Sequence, residues 1–156
     1  MLRILRLVLV LAFVLPALAQ CQSNTATVSR EQFRSLDWIA GRWRGSGGNY
    51  PAFYEEYRFR DDSTIAQHNY TDSTFTTATD SSLIAWRNGS IVSGWPLGRY
   101  VVTEFQSTSL RFLKKGAARA GHTFAMVSRD QWTATLHPEN AAALPVVYTM
   151  RRLPQP

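Results

Sequence analysis

The chain holds a single cysteine, Cys21, among its 156 residues. No intrachain disulfide can form, so the domain must hold together by packing and backbone pairing. Catalytic templates are missing as well. No Gly-x-Ser-x-Gly elbow occurs, which removes the nucleophile turn of the α/β-hydrolases, and Cys21 lies too close to the N-terminus to serve as a nucleophile of the body. The glycine-rich run Gly45-Ser46-Gly47-Gly48 leads through Asn49 into Tyr50-Pro51 and a strand-like segment. It therefore lacks the helix N-terminus that cradles a phosphate. The three histidines, His68, His122 and His137, have none of the close spacings of metal ligands. No metal site is expected, and each reads as a strand-surface or rim residue. Clustered positive charge is lacking too. The formal net charge is +6, but the arginines are scattered, whereas nucleic-acid binders gather Lys and Arg on one face. No nucleic-acid partner is expected. The densest group, Lys114, Lys115 and Arg119 beside Gly116, reads as a solvated turn, with a phosphate or anionic-surface contact as the alternative. Finally, no stretch of the body offers the long helices that connect a parallel sheet, and no internal repeat is visible.

What is present begins with an export signal. Arg3 and Arg6 form a short positive region, Leu7 to Leu15 is continuously apolar, Pro16 breaks the segment, and Ala17-Leu18-Ala19 is an A-x-A cleavage site. The apolar run is shorter than the ~20 residues of a comfortable membrane span. Residues 1–19 are thus expected to be a secretory signal peptide, 20–29 a flexible polar tether, and 30–154 the folded domain. Three fates stand for this leader: ordinary cleavage after Ala19, which is preferred, lipidation at Cys21, and retention as an anchor. Leu18-Ala19-Gln20-Cys21 is similar to a bacterial lipoprotein box, although such boxes usually carry Gly, Ala or Ser where Gln20 stands. The expected location is periplasmic or secreted, with a lipid on Cys21 as the one route to a membrane.

The mature body, about 135 residues, is long enough to bury roughly two-thirds of its unfolded surface. Ser29 is placed to cap a short helix over 30–38, with Phe33, Leu36 and Trp38 on its buried side and Gly41 ending it. Beyond Gly41 the hydrophobic period changes to two. Strands are expected over 42–45, 52–60, 64–70, 75–79 with 83–87 as one long or two short pieces, 90–93, 100–106, 110–113, 122–128, 131–136 and 146–151. Asn88-Gly89 is the best hairpin signal, because both residues tolerate the positive φ of a type I′ turn. Short strands at this spacing point to an all-β sandwich or barrel, and the expected fold is a small antiparallel β-barrel, or half-open sandwich, of 8–10 strands with one short N-terminal helix.

The segment Gly41-Arg42-Trp43-Arg44-Gly45-Ser46-Gly47-Gly48-Asn49-Tyr50-Pro51 resembles the opening motif of the lipocalin (calycin) superfamily, in which Gly-x-Trp lies on a first strand after a short helix. The span from Leu36 to Arg60 also resembles uncharacterised exported bacterial domains of lipocalin-like form and, more distantly, nitrobindin-type haem proteins. The resemblance covers about 25 residues and is general elsewhere. It implies a lipocalin-like barrel plugged by Trp43, with Gly41 and Gly45 letting backbone approach closely and with Arg151 or Arg152 packed across the indole; Arg151 is the first choice. The nitrobindin likeness fails at the last strand, Val146 to Arg152, which has no histidine to hold haem iron. A haem ligand would have to be His137, His68, His122 or Tyr148 in another geometry, so no haem and no other cofactor is expected.

Alternation then selects a candidate site. Phe53, Glu55, Tyr57 and Phe59 share the more apolar face of their strand, which is expected to be interior, and Tyr54, Glu56, Arg58 and Arg60 share the other. An interior carboxylate is costly unless paired, and burial raises its pKa. Glu55 is therefore the first functional candidate, against an internal salt bridge as its plain structural role. Glu104, alternating with Tyr100 and Val102, is the second. His68 is a candidate partner for Glu55 or Glu56. The expected pocket lining is Glu55, Tyr57, Phe59, His68, Trp86, Phe124 and Tyr148. The expected function is binding of a small hydrophobic or amphipathic ligand in the cell envelope or outside the cell. A barrel enzyme using Glu55 as acid or base, with His68 or Tyr148 as partner, and a structural or assembly protein of the envelope are the alternatives.

Overall fold

The computed structural model describes residues 25–95 and 98–154. The leader, Gln20 and Cys21 lie outside the described residues. The chain enters through a five-residue helix, α1 (Arg30–Arg34), which continues as a 3₁₀ turn (Ser35–Ile39). Ser29 and Gln32 form a capping box: Ser29 Oγ accepts from the Gln32 N–H at 3.0 Å, and the Ser29 N–H donates to Gln32 Oε1 at 2.7 Å. A helix this short is not stable alone. Its reason to form is the face it buries, Phe33, Leu36, Trp38 and Ile39, each contributing roughly 1.5–3 kcal/mol when fully removed from water.

Ten strands follow: β1 (Gly41–Gly47), β2 (Tyr50–Asp61), β3 (Thr64–Tyr70), β4 (Ala78–Arg87), β5 (Ser90–Trp95), β6 (Tyr100–Gln106), β7 (Ser109–Lys114), β8 (Gly121–Ser128), β9 (Gln131–His137) and β10 (Val146–Arg152). Each pairs antiparallel with its neighbour in sequence, and β10 returns to β1, so the sheet is a closed barrel. Among the described residues, closure leaves no edge strand to recruit another chain. The all-β antiparallel barrel with one short N-terminal helix is as expected, with ten strands. The Asn88-Gly89 turn has φ of +49° and +82°, both positive as a type I′ hairpin requires. Residues 75–77 are not strand. Phe75 takes φ +56° in the β3–β4 loop and packs its ring against Tyr70 and Tyr54.

The meander gives the barrel two different ends. The helix and the turns β2–β3, β4–β5, β6–β7 and β8–β9 gather at one end, and the β1–β2 turn and the longer connections at the other. The helix end is plugged. Trp43 is fully buried, donates its Nε1–H to Ile39 O at 2.7 Å, and packs edge-on against Trp132. Arg152, directly opposite Trp43 in the β1–β10 register, lays its guanidinium 4.2 Å from the indole centroid. It also donates to Ala40 O, Trp38 O and Arg129 O at 2.7, 3.1 and 2.9 Å. Gly41, at φ +130°, leaves room for it; a Cβ there would strike Arg152 Nη1. Gly45 serves β2 likewise, because the Phe53 ring lies where its Cβ would be. Arg151 is exposed on the outer face, so the residue packed on Trp43 is Arg152. One position along a strand reverses the face.

The tether boundary also needs correction. Val28 is fully buried, its N–H donates to Gly89 O at 2.7 Å, and the Ala26 N–H donates to Val102 O at 2.9 Å. Strands β5 and β6 are paired only at Val92–Val101 and Ser93–Tyr100. Residues 26–28 cross where those strands part, so the folded domain starts by Ala26. A lone valine among polar neighbours has no periodicity to announce this.

Candidate functional site: a polar cavity in the open half of the barrel

Above the tryptophan plug the interior opens into a cavity of about 390 Å³. Its aromatic wall comes from five strands. Tyr57, Trp132 and Phe124 form a continuous chain of rings with centroids 5.8 and 4.8 Å apart. His122 continues it, 4.9 Å from Phe124 and from Tyr100, and Phe53 meets Tyr148 edge-on at 5.3 Å. Each points inward through the two-residue alternation of its strand. Leu136, 44% exposed, brings the lining up to the rim.

The rest of the lining is polar. Glu55, Gln67, Ser82 and Ser93 line the cavity with these rings. Ser82 Oγ donates to Gln67 Oε1 at 2.9 Å, which fixes the amide so that its Nε2 is directed at Glu55 Oε1, 3.4 Å away. Tyr57 Oη donates to Glu55 Oε2 at 2.7 Å. Burial pushes the Glu55 carboxyl up from its ordinary value, and the donors from Tyr57 and Gln67 only partly offset this. Tyr57 is pushed well above the usual phenol range by its burial and by the charge and hydrogen bond of Glu55, so it stays a donor. On the aromatic side, burial and the neighbouring His137 hold His122 down at about 4, so its imidazole is neutral at ordinary pH. Among the described residues, Trp132 Nε1, Asn69 Oδ1 and Ser90 Oγ are buried without a hydrogen-bond partner. Trp132 lines the cavity.

The next carboxylate in sequence has the opposite fate. Glu56 lies on the outer face, 4% exposed. It accepts from Arg42 Nε at 2.8 Å, Arg58 Nη2 at 2.7 Å and Tyr70 Oη at 3.2 Å. Burial raises its pKa, but the hydrogen bonds and charge of the two arginines outweigh this, and the result is a lowered value.

Of the residues expected to line a pocket, Glu55, Tyr57, Phe124 and Tyr148 meet in the cavity. The others lie elsewhere. His68 faces Glu56 across the β2–β3 pair on the outside, and its neighbour Gln67 occupies the interior position. The proposed Glu55–His68 acid-base pair is therefore not formed. Phe59 faces inward at the plugged end and packs edge-on against Phe33. Trp86 is at that end too, donating its Nε1–H to Val28 O at 2.7 Å, with Arg30 over its ring. Glu104 is turned out to solvent, its side chain 76% exposed. A register shift between Val102 and Glu104 inverts the alternation there. His122 was missed as a lining residue, although it shares a face with Phe124 and Met126. His137 lies outside, bonded to Thr123 Oγ1 at 2.8 Å.

A larger cleft of about 610 Å³ lies outside the plugged end, lined by Trp38, Ser107, Asp130 and Arg152 among others. Its polar groups already serve one another: Trp38 Nε1 donates to Ser107 O, and Arg152 pairs with Asp130. That makes it a seam between plug and hairpins. Among the described residues, no three His, Cys, Asp or Glu side chains come together to hold a metal ion.

No protein-family model matches this chain, and no curated protein is significantly similar to it. Solved structures similar in fold include a redesigned β-barrel, 10% identical, with a TM-score of 0.38 over 78% of this chain and 96% of that one. Another, EF1p2_mFAP2b bound to DFHBI, is 13% identical, with a TM-score of 0.34 over 77% of this chain and 98% of that one. At these scores neither likeness bears on function.

Proposed function

We propose that this protein is an exported, lipocalin-like binding protein that takes a small, partly apolar molecule into the open half of its barrel. The observation that carries this reading is the cavity itself. It is walled by aromatic rings, yet it holds the Glu55 carboxylate together with Gln67, Ser82 and Ser93. A barrel selected only for stability would fill that space with apolar side chains, as this one does at its other end. A few polar groups converging in an aromatic pocket is the usual form of a small-molecule site. Export rests on the leader at residues 1–19 and places the protein in the cell envelope or outside the cell. A lipid on Cys21 is the alternative attachment.

Native mass spectrometry of the protein purified from its own host tests the reading. The expected result is a mature chain carrying an additional non-covalent mass, absent from an Ala134→Phe variant, because Ala134 lines the cavity and the added ring fills it. A bare chain from the host, together with an Ala134→Phe variant no different from the parent toward a panel of small aromatic probes, would overturn it. The spectrum also reads the fate of Cys21 directly.

A further inference from the structure

The cavity has a sign. Among the described residues lining it, Glu55 alone carries a formal charge, and no lysine or arginine is present. Its other ionisable groups are phenols, Tyr57, Tyr100 and Tyr148, and the imidazole of His122. The groups that touch the carboxylate are both donors, Tyr57 Oη and Gln67 Nε2, an arrangement that favours its ionised form. A carboxylate has about four acceptor sites, so two donors leave capacity for a third partner. Phe53 and Tyr57 flank Glu55 on its own strand, and Phe124, Trp132 and Tyr148 line the same space from β8, β9 and β10. Aromatic faces attract cations, most strongly where water is excluded. A carboxylate in this cavity, with aromatic rings around it and no counter-ion among the described residues, is complementary to a positive charge carried on an apolar body.

We infer that the ligand is an organic cation, an amine or quaternary ammonium on a small apolar or aromatic frame, with its charge between Glu55 and the aromatic wall. This rests on reading the cavity as a ligand site and names the ligand class. The cation supplies the counter-charge that Glu55 lacks and the rings hold its alkyl shell. Glu56, by contrast, already has two arginines and needs no ligand. Binding also favours the ionised form of Glu55, which burial alone opposes, so an amphiphile that is cationic at all pH values binds better as the carboxyl loses its proton.

The test uses an isosteric pair, benzyltrimethylammonium and neopentylbenzene, which differ only in the nitrogen or carbon at the centre of the trimethyl group. Affinities are measured by quenching of tryptophan fluorescence. At about pH 8, well above the ordinary carboxylate range, the protein should bind the cation at least about tenfold more tightly than the hydrocarbon. The preference should shrink as the pH falls and Glu55 takes up its proton. The Glu55→Gln variant should lose the preference while still binding neopentylbenzene. Equal or weaker binding of the cation, or a preference that is independent of pH and survives in Glu55→Gln, overturns the inference and leaves the cavity a site for neutral ligands. Binding of neither probe overturns both this inference and the reading on which it rests. The pH series needs no variant, so a Glu55→Gln chain that fails to fold does not remove the test.

Discussion

The two ends of this barrel solve different problems with the same strands. At the helix end Phe33, Leu36, Ile39 and Trp43 are fully buried, and the polar atoms of Trp43, Trp86 and Arg152 end on backbone carbonyls. At the other end the same inward alternation delivers Glu55, Gln67, Ser82, Ser93 and His122 around a cavity. The plug needs no disulfide because it is cross-linked by packing. Residues 26–39, β1 and β10 meet there, so the two ends of the domain are tied through Trp43 and Arg152. The open half contributes less to stability and carries Glu55, Tyr57 and His122, whose protonation burial shifts. Stability and chemistry are thus separated along the barrel axis, and the separation can be attacked from either end.

The largest effect belongs to the plug. Trp43→Ala should cost about 3–5 kcal/mol in urea unfolding, the range for removing a large buried aromatic, and an indistinguishable midpoint would mean that the two halves do not differ as described. His122 comes next. Its folded-state pKa of about 4 lies below its ordinary 6.5, so between these values the unfolded chain binds more protons. The native state therefore loses stability as the pH falls through this window, by about 3 kcal/mol across it. A His122→Phe variant, which keeps an aromatic ring against Phe112 and Phe124, should lose that acid-side slope; pH-dependent unfolding compared with the parent reads it. Arg152→Ala should cost about 2 kcal/mol through its lost cation–π and hydrogen-bond contacts. Arg151→Ala, one residue away and exposed, should lie within about 0.5 kcal/mol of the parent.

Much of the plug was legible in the sequence, and less of the cavity. Ser29, Gly41, Trp43 and the Asn88-Gly89 turn each have a local physical requirement that only certain residues meet, so their positions follow directly. Strands β3 and β6 are bounded by turn residues and read with their observed limits. Alternation placed Glu55 and Tyr57 inside, but it gives the face of a residue and not its height along the barrel. Phe59 and Trp86 are therefore inward yet far from the cavity. Where the interior is itself polar, alternation loses its contrast. Gln67 and Asn69 occupy inward positions, and His68 between them looks no different by composition. The bulge that turns Glu104 outward leaves no residue signature, because it is fixed by pairing with Arg111 on β7. His122 could have been found by extending the face of Phe124 and Met126 by two residues toward the strand start.

The smallest effect carries the sharpest contrast, because its sign is reversed. Glu55 is raised from its ordinary value mainly by burial, so above that ordinary value the native state holds its proton more tightly than the unfolded chain does. Its contribution falls as the pH rises through the folded-state value, the reverse of His122. Replacing it with Gln keeps an acceptor for Tyr57 and removes the buried charge, so Glu55→Gln should be slightly more stable than the parent at neutral pH. The same substitution at Glu56 should be destabilising, because it leaves Arg42 without the ionic partner it has at 2.8 Å. Thermal unfolding of the two variants in one buffer makes the comparison. If both lower the melting temperature, Glu55 is a structural acid and the open half is held together by it. If only Glu56→Gln does, the cavity acid is kept at a cost to the fold, as expected of a group retained for what it binds.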